Sequence, residues 1–117
     1  MDTDPNCLFC KIAAGEIKAD LLHRDEWHVA FRDANPQAPF HALLVPVKHI
    51  STLDDLANEE GRLIGDILLS ATRLARENDL VRGGYRLVWN CGPDAGQSVY
   101  HIHLHVLGGR RMAWPPG

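Results

Sequence analysis

From Tyr100 to Val106 the chain reads Tyr-His-Ile-His-Leu-His-Val, histidine alternating with aliphatic residues without a break. A period of two belongs to a β-strand, whose successive side chains leave on opposite faces. Ile102, Leu104 and Val106 are thereby assigned to a core. His101, His103 and His105 fall in one row on the other face, with about 6 to 7 Å between successive rings. A single histidine on a strand, such as His23 or His28, is usually a packed or solvated bystander. Three in register gather nucleophilic, proton-carrying and metal-ligating nitrogens at one place.

The rest of the chain supplies what such a strand packs against. Leu8, Phe9, Ile12 and Ala13 recur at helical spacing between Cys7 and Ala14, with Gly15 at the expected stop. Leu21 to Asp33 reads as a hairpin in which Trp27, Val29 and Phe31 alternate with His28, Ala30 and Arg32, the period of a half-buried strand. The prolines of Asn35 to Pro39 mark a loop, and His41 to Pro46 a strand. The longest periodic stretch, Asn58 to Asn78, sets Leu63, Ile67, Leu68, Ala71, Leu74 and Ala75 against a charged face. Gly83-Gly84 turns into a strand over Tyr85 to Asn90, and Val99 to Leu107 forms the last strand. The expected architecture is α+β: a mainly antiparallel sheet, one long amphipathic helix on one face and a short N-terminal helix, with residues 1–117 forming one domain that ends in a tail, 108–117.

Composition narrows the function. With 45% hydrophobic and 23% charged residues, 117 residues build one packed core rather than a disordered chain. A net charge of -3 without a basic stripe argues against nucleic acid as partner. No apolar run is long enough for a bilayer, and Met1 to Asn6 lacks the charge and apolar stretch of an export signal, so a cytoplasmic protein is expected. In a reducing compartment Cys7-x-x-Cys10 reads as metal ligation or redox chemistry, and Cys91 as an incidental thiol. The small residues of Asp94-Ala-Gly-Gln-Ser98 let backbone N–H groups and the Ser98 hydroxyl face a common anion, with Asn90 as a further donor. Beside a histidine row, such a loop points to phosphate.

Gly96-Gln-Ser-Val-Tyr-His-Ile-His-Leu-His-Val-Leu107 resembles the histidine triad (HIT) motif, and the likeness continues through Phe31 to Pro39, Val45 to Ile50 and His105 to Gly117. Over essentially its whole length the chain is similar to the Hint branch, the histidine triad nucleotide-binding proteins. The resemblance implies a HIT-like fold, a two-fold homodimer, and hydrolysis of purine nucleoside 5′-phosphoramidates, of the AMP-amine or AMP-lysine type, to a nucleoside monophosphate and an amine. Carried onto this chain, it makes His103 the nucleophile that forms a nucleotidyl-histidine intermediate. His105 serves the phosphoryl oxygens and the leaving amine, with His41 and His101 supporting the row. Asp33 accepts the ribose hydroxyls; Asn90, Ser98 and the Gly96-Gln97 backbone hold the phosphate. Leu8, Phe9, Phe31 and Ala34 wall the base, and Trp114 lies near the partner's substrate entrance.

Cys7, Cys10, His49 and His101 make a Cys₂His₂ set suited to a structural zinc, a pattern that resembles some HIT relatives and the related galactose-1-phosphate uridylyltransferases. The chemistry itself requires no cofactor. The expected partners are purine nucleoside monophosphates and phosphoramidates and a second copy of the chain. Two rival readings stand beside this one: a hydrolase whose catalytic zinc is held by His101, His103 and His105, and a nucleotide-binding adaptor with vestigial hydrolysis.

Overall fold

A computed structural model describes residues 2–117. Strands β1 (Leu21–Arg24), β2 (His28–Arg32), β3 (Phe40–Pro46), β4 (Tyr85–Trp89) and β5 (Leu104–Gly108) form one sheet in the order β1-β2-β3-β5-β4, every neighbouring pair antiparallel. Helix α1 (Leu8–Ala13) precedes the sheet, and helix α2 (Gly61–Glu77) links β3 to β4 through two 3₁₀ turns at its start. The α+β class expected from the patterning is the one observed.

The central strand shows how the layers arise. All of β3 is buried, and its side chains divide by parity. Ala42 and Leu44 pack with Ile67, Ala71 and Leu74 of α2 and with Leu104 and Val106 of β5. Leu43 and Val45 pack instead with Phe9 and Ile12 of α1 and with Val29 and Phe31 of β2. Each fully buried aliphatic side chain, Leu44 and Leu104 among them, contributes about 1.5–3 kcal/mol of burial.

Covering both faces corrects the expectation of a half-buried second strand. His28, Val29, Ala30 and Phe31 are all buried, whereas Trp27 is 54% exposed. Val29 and Phe31 meet the α1 layer and Ala30 the α2 layer, so alternation in polarity gives way to a continuous buried run. On α2, Leu68 is 42% exposed and Ser70 is buried. The contact stripe centres on Ile67, Ala71 and Leu74, and Leu68 is rotated about 100° away from Ile67.

The last strand is shorter than expected. Its ladder begins at Leu104, and residues 99–103 run beside the sheet, held by the bond from Ile102 N–H to Ile50 O at 2.8 Å. Among the described residues no helix is long and apolar enough to cross a membrane.

Candidate active site

The β3–β5 ladder sets the site. His41 pairs with Leu107 and Leu43 with His105, while Ala42 and Val106 point to the α2 layer. By strand parity, His41, Leu43 and His105 therefore share the α1 face. The His105 ring lies 5.2 Å from His41 and 5.0 Å from His103. Phe9 of α1 packs edge-on against His103 at 5.1 Å and against His101 at 6.0 Å.

Hydrogen bonds assign a protonation pattern to each neutral ring. The Gln37 N–H donates to His41 Nδ1 at 3.0 Å, so His41 carries its proton on Nε2. That nitrogen lies 2.9 Å from His105 Nδ1, which must accept, leaving the His105 proton on Nε2. His105 Nε2 is buried and meets no partner among the described residues. His103 Nδ1 lies 2.8 Å from His101 O and donates to it, so the lone pair sits on His103 Nε2. Burial favours the neutral form of His41 and His105: it lowers His41, and it lowers His105 to about 4, the neighbouring His103 and His41 acting the same way on His105.

His103 and His105 line a cavity of about 720 Å³. Leu8, Phe9, Phe31 and Ala34 border it, as do Asp33 and Ser98. Asp33 is held in place, its Oδ1 accepting from Asn35 N–H at 2.8 Å and its Oδ2 lying 3.4 Å from His41 Nε2. Sequence reasoning missed Ile12, Leu43 and Val99 in the apolar wall and Lys18 and Asp20 in its polar part. Leu43 carried a usable signal: it stands two residues from His41 on the same strand face. The loop after α1, which brings in Lys18 and Asp20, carried none.

Three expected phosphate ligands sit differently. The Gly96 and Gln97 N–H groups donate within their own turn, to Pro93 O at 3.0 Å and Gly92 O at 3.1 Å, so they do not face the cavity as an anion cradle. Gly96, at φ +84°, closes that turn. The buried Gln97 side chain braces it, accepting from Gly92 N–H at 2.9 Å and donating to Ser51 O at 2.7 Å and Val99 O at 3.1 Å. Asn90 lines a separate cavity of about 430 Å³, on the β4 side of His105, together with Arg86, Arg110 and residues of the tail. The Arg86 guanidinium donates to Ala113 O at 3.0 Å and anchors that tail, while Trp114 is 82% exposed and borders neither cavity.

His101 turns away from the other two rings. Its Nδ1 lies 3.3 Å from Cys7 Sγ and 3.5 Å from Cys10 Sγ, and Cys10 Sγ lies 3.4 Å from His49 Nδ1. The four ligand atoms fall within 4.8 Å of one another. Ligands about 2.0–2.3 Å from a tetrahedral zinc are separated by about 3.3–3.8 Å, so the set fits that ion. The surroundings fit as well: His101 Nε2–H donates to Pro46 O at 2.8 Å, which leaves Nδ1 free to ligate, and Cys7 Sγ accepts from Cys10 N–H at 3.4 Å. Burial, chiefly, raises the Cys10 thiol and lowers His101 to about 4, which favours the neutral form of both without an ion.

A five-stranded antiparallel sheet carrying this histidine row is the architecture of a histidine triad domain. Residues 14–112 match the HIT domain family model, and the chain belongs to that family. It is 46% identical over 110 residues to an uncharacterized HIT-like protein of Synechococcus elongatus, covering 94% of this chain and 96% of the relative. Among solved structures, it superposes on a HIT family hydrolase from Legionella pneumophila with a TM-score of 0.94 at 54% identity, covering 96% of this chain and all of the other. A histidine triad protein from Clostridium difficile gives a TM-score of 0.92 at 39% identity, with 95% and 96% covered. Cys7 and Cys10 lie ahead of the residues matched by the family model.

Proposed function

We propose that this chain is a nucleotide-binding hydrolase that cleaves the P–N bond of purine nucleoside 5′-phosphoramidates. The observation carrying this reading is the pairing of two nitrogens at one cavity: His103 Nε2 with a free lone pair, and His105 Nε2 with a buried proton and no acceptor. In the proposed reaction, His103 Nε2 attacks the α-phosphorus as the P–N bond breaks. The leaving nitrogen takes the proton from His105 Nε2 and departs as the amine. Water then attacks the nucleotidyl-histidine, giving its proton back to His105, and releases the nucleoside monophosphate with His103 restored. Leu8, Phe9 and Phe31 offer an apolar slot for the base, Asp33 an acceptor for the ribose hydroxyls, and Ser98 a donor for the phosphate.

Zinc fits Cys7, Cys10, His49 and His101, where it would supply a structural cross-link between the N-terminal segment and the sheet. The reading of a catalytic zinc on His101, His103 and His105 draws on the same corner, yet His101 Nδ1 faces the two sulfurs there. A second copy of the chain is the proposed partner, supported by the unpaired outer edge of β4 and by exposed Leu68 and Leu69 on α2; Trp114 would then reach the partner's substrate entrance. The free thiols of Cys7, Cys10 and Cys91 fit a reducing, cytoplasmic setting.

Incubation with adenosine 5′-phosphoramidate and AMP-lysine tests the activity. Release of AMP and amine, with a nucleotidyl adduct on His103 after acid quench, is the expected result. Tight AMP binding without turnover would favour the adaptor, and turnover lost on chelation and restored by zinc the metal-dependent hydrolase.

A further inference from the structure

A second cluster of ligating groups lies on the opposite face of the sheet. Its centre is His28 on β2, whose side chain is 5% exposed and whose two ring nitrogens have no hydrogen-bond partner. A buried polar group without a partner calls for one. His28 shares the α2 face with Ala30, while the neighbouring Val29 and Phe31 face α1, so this position is separated by the sheet from His103 and His105.

We propose that His23, Asp25 and His28, at the β1–β2 turn, bind a divalent transition-metal ion of the nickel, copper or zinc class. One ligand atom of each of the three residues lies within 4.8 Å of the other two. Asp25 is built into the turn: its Oδ1 accepts from the backbone N–H of Trp27 at 2.7 Å and of His28 at 2.9 Å. This leaves Oδ2 between the imidazoles, 2.7 Å from His23 Nε2 and 3.4 Å from His28 Nδ1. Two ligands 3.4 Å apart, each about 2.1 Å from an ion, subtend about 108° there, close to a tetrahedral angle. Two imidazoles and one carboxylate form a donor set of borderline softness, which suits these ions better than calcium or magnesium.

The rings of His23 and His28 stack at 4.7 Å with 24° between their planes. Closing on an ion therefore asks His23 to swing out of the stack, which its partial exposure allows, while Asp25 and His28 are held by the turn and by burial. Arg73 and Asp66 of α2 act on His28 with opposite signs.

The test uses untagged full-length protein with its cysteine cluster already zinc-loaded, titrated with Ni²⁺ by calorimetry. One further equivalent should bind, weakened at least about tenfold in His23→Ala and in Asp25→Asn, with the zinc content and melting temperature of each variant staying close to wild type. Binding of Cu²⁺ at the same stoichiometry should show nitrogen hyperfine coupling that weakens in His23→Ala. The proposal is overturned if the wild-type protein takes up no second ion. It is equally overturned if both variants bind Ni²⁺ as wild type does, or if His41→Asn abolishes the binding instead, which would place the ion at Asp33, His41 and His105.

Discussion

His41 Nε2 lies 2.9 Å from His105 Nδ1, while the other nitrogen of His41 receives the Gln37 N–H at 3.0 Å. A main-chain amide thereby dictates, through one imidazole, which nitrogen of the next carries the proton. His41 need not touch substrate to matter: without it His105 can adopt the other tautomer, whose Nε2 lacks the proton the leaving amine needs. His41→Ala should lower kcat about 10²-fold with KM little changed. His41→Gln, whose side-chain amide reaches the Nε2 position, should recover much of the loss. Equal losses in both variants would show that the ring supports the site only by packing.

The middle histidine differs in kind. His103→Ala removes the atom proposed to bond to phosphorus, so turnover should fall at least about 10³-fold, while AMP affinity, assigned in this proposal to the apolar slot and Asp33, should hold. Mass spectrometry of acid-quenched wild-type protein should show a nucleotidyl adduct absent from the variant. Wild-type rates in His103→Ala would remove the proposed mechanism.

Much of this arrangement was legible in the chain. The unbroken alternation from Tyr100 to Val106 placed Ile102, Leu104 and Val106 in the core, and all three are buried, Leu104 and Val106 on the strand under α2 and Ile102 just ahead of it. What escaped depends on contacts distant in sequence. Burial of β2 on both faces follows from α1 folding over one of them, which erases the period-two signal from His28 to Phe31. The turn of His101 toward Cys7 spans 94 positions. The inward N–H groups of Gly96 and Gln97 depend on the φ of +84° at Gly96, and glycine in a sequence permits that conformation without announcing it. Asn90 faces the second cavity because it follows the edge strand β4, and edge position is a property of the sheet rather than of the strand.

Acid should loosen the fold through the same histidines. His105 falls from 6.5 to about 4 on folding, chiefly by desolvation. Between these values the unfolded chain binds the proton and the folded chain does not, so stability rises with pH across this window and is lost as pH drops from about 6.5 toward 4. His41, also lowered by burial, acts in the same direction. Melting temperature measured from pH 7 to pH 4.5 should fall steadily, and His105→Gln should flatten that slope; an unchanged slope would place the acid sensitivity elsewhere.

Zinc content separates the structural role from the catalytic one. Protein purified without added metal should carry one zinc per chain, and Cys7→Ser with Cys10→Ser should abolish it. Because ion binding there is folding free energy, the double variant should melt at least about 5 °C lower. Below that temperature, its hydrolysis of AMP-lysine should stay within a few-fold of wild type, since the ion's ligands end at His101 and His103 keeps its bond to the His101 carbonyl. A collapse of kcat at an unchanged melting temperature would move the ion into the reaction.

Gln97 offers a test of what the loop ahead of Ser98 contributes. Gln97 is 5% exposed and its side chain joins Gly92 N–H, Ser51 O and Val99 O, so it ties the loop to the segment after β3 and to its own continuation toward His101. Gln97→Leu would leave three partly buried backbone groups without their partner, each costing up to about 1–3 kcal/mol where water does not replace the bond. Ser98, next in the chain, would lose its fixed position at the cavity. The expected outcome is a lower melting temperature together with a raised KM for AMP-lysine, and a kcat that changes little because His103 and His105 are held from β3 and His101 instead. Gln97→Glu, which keeps the acceptor but sets a carboxylate oxygen against the Ser51 and Val99 carbonyls, should destabilise at least as much as Gln97→Leu; a variant that lowered kcat alone would assign Gln97 to the phosphate itself.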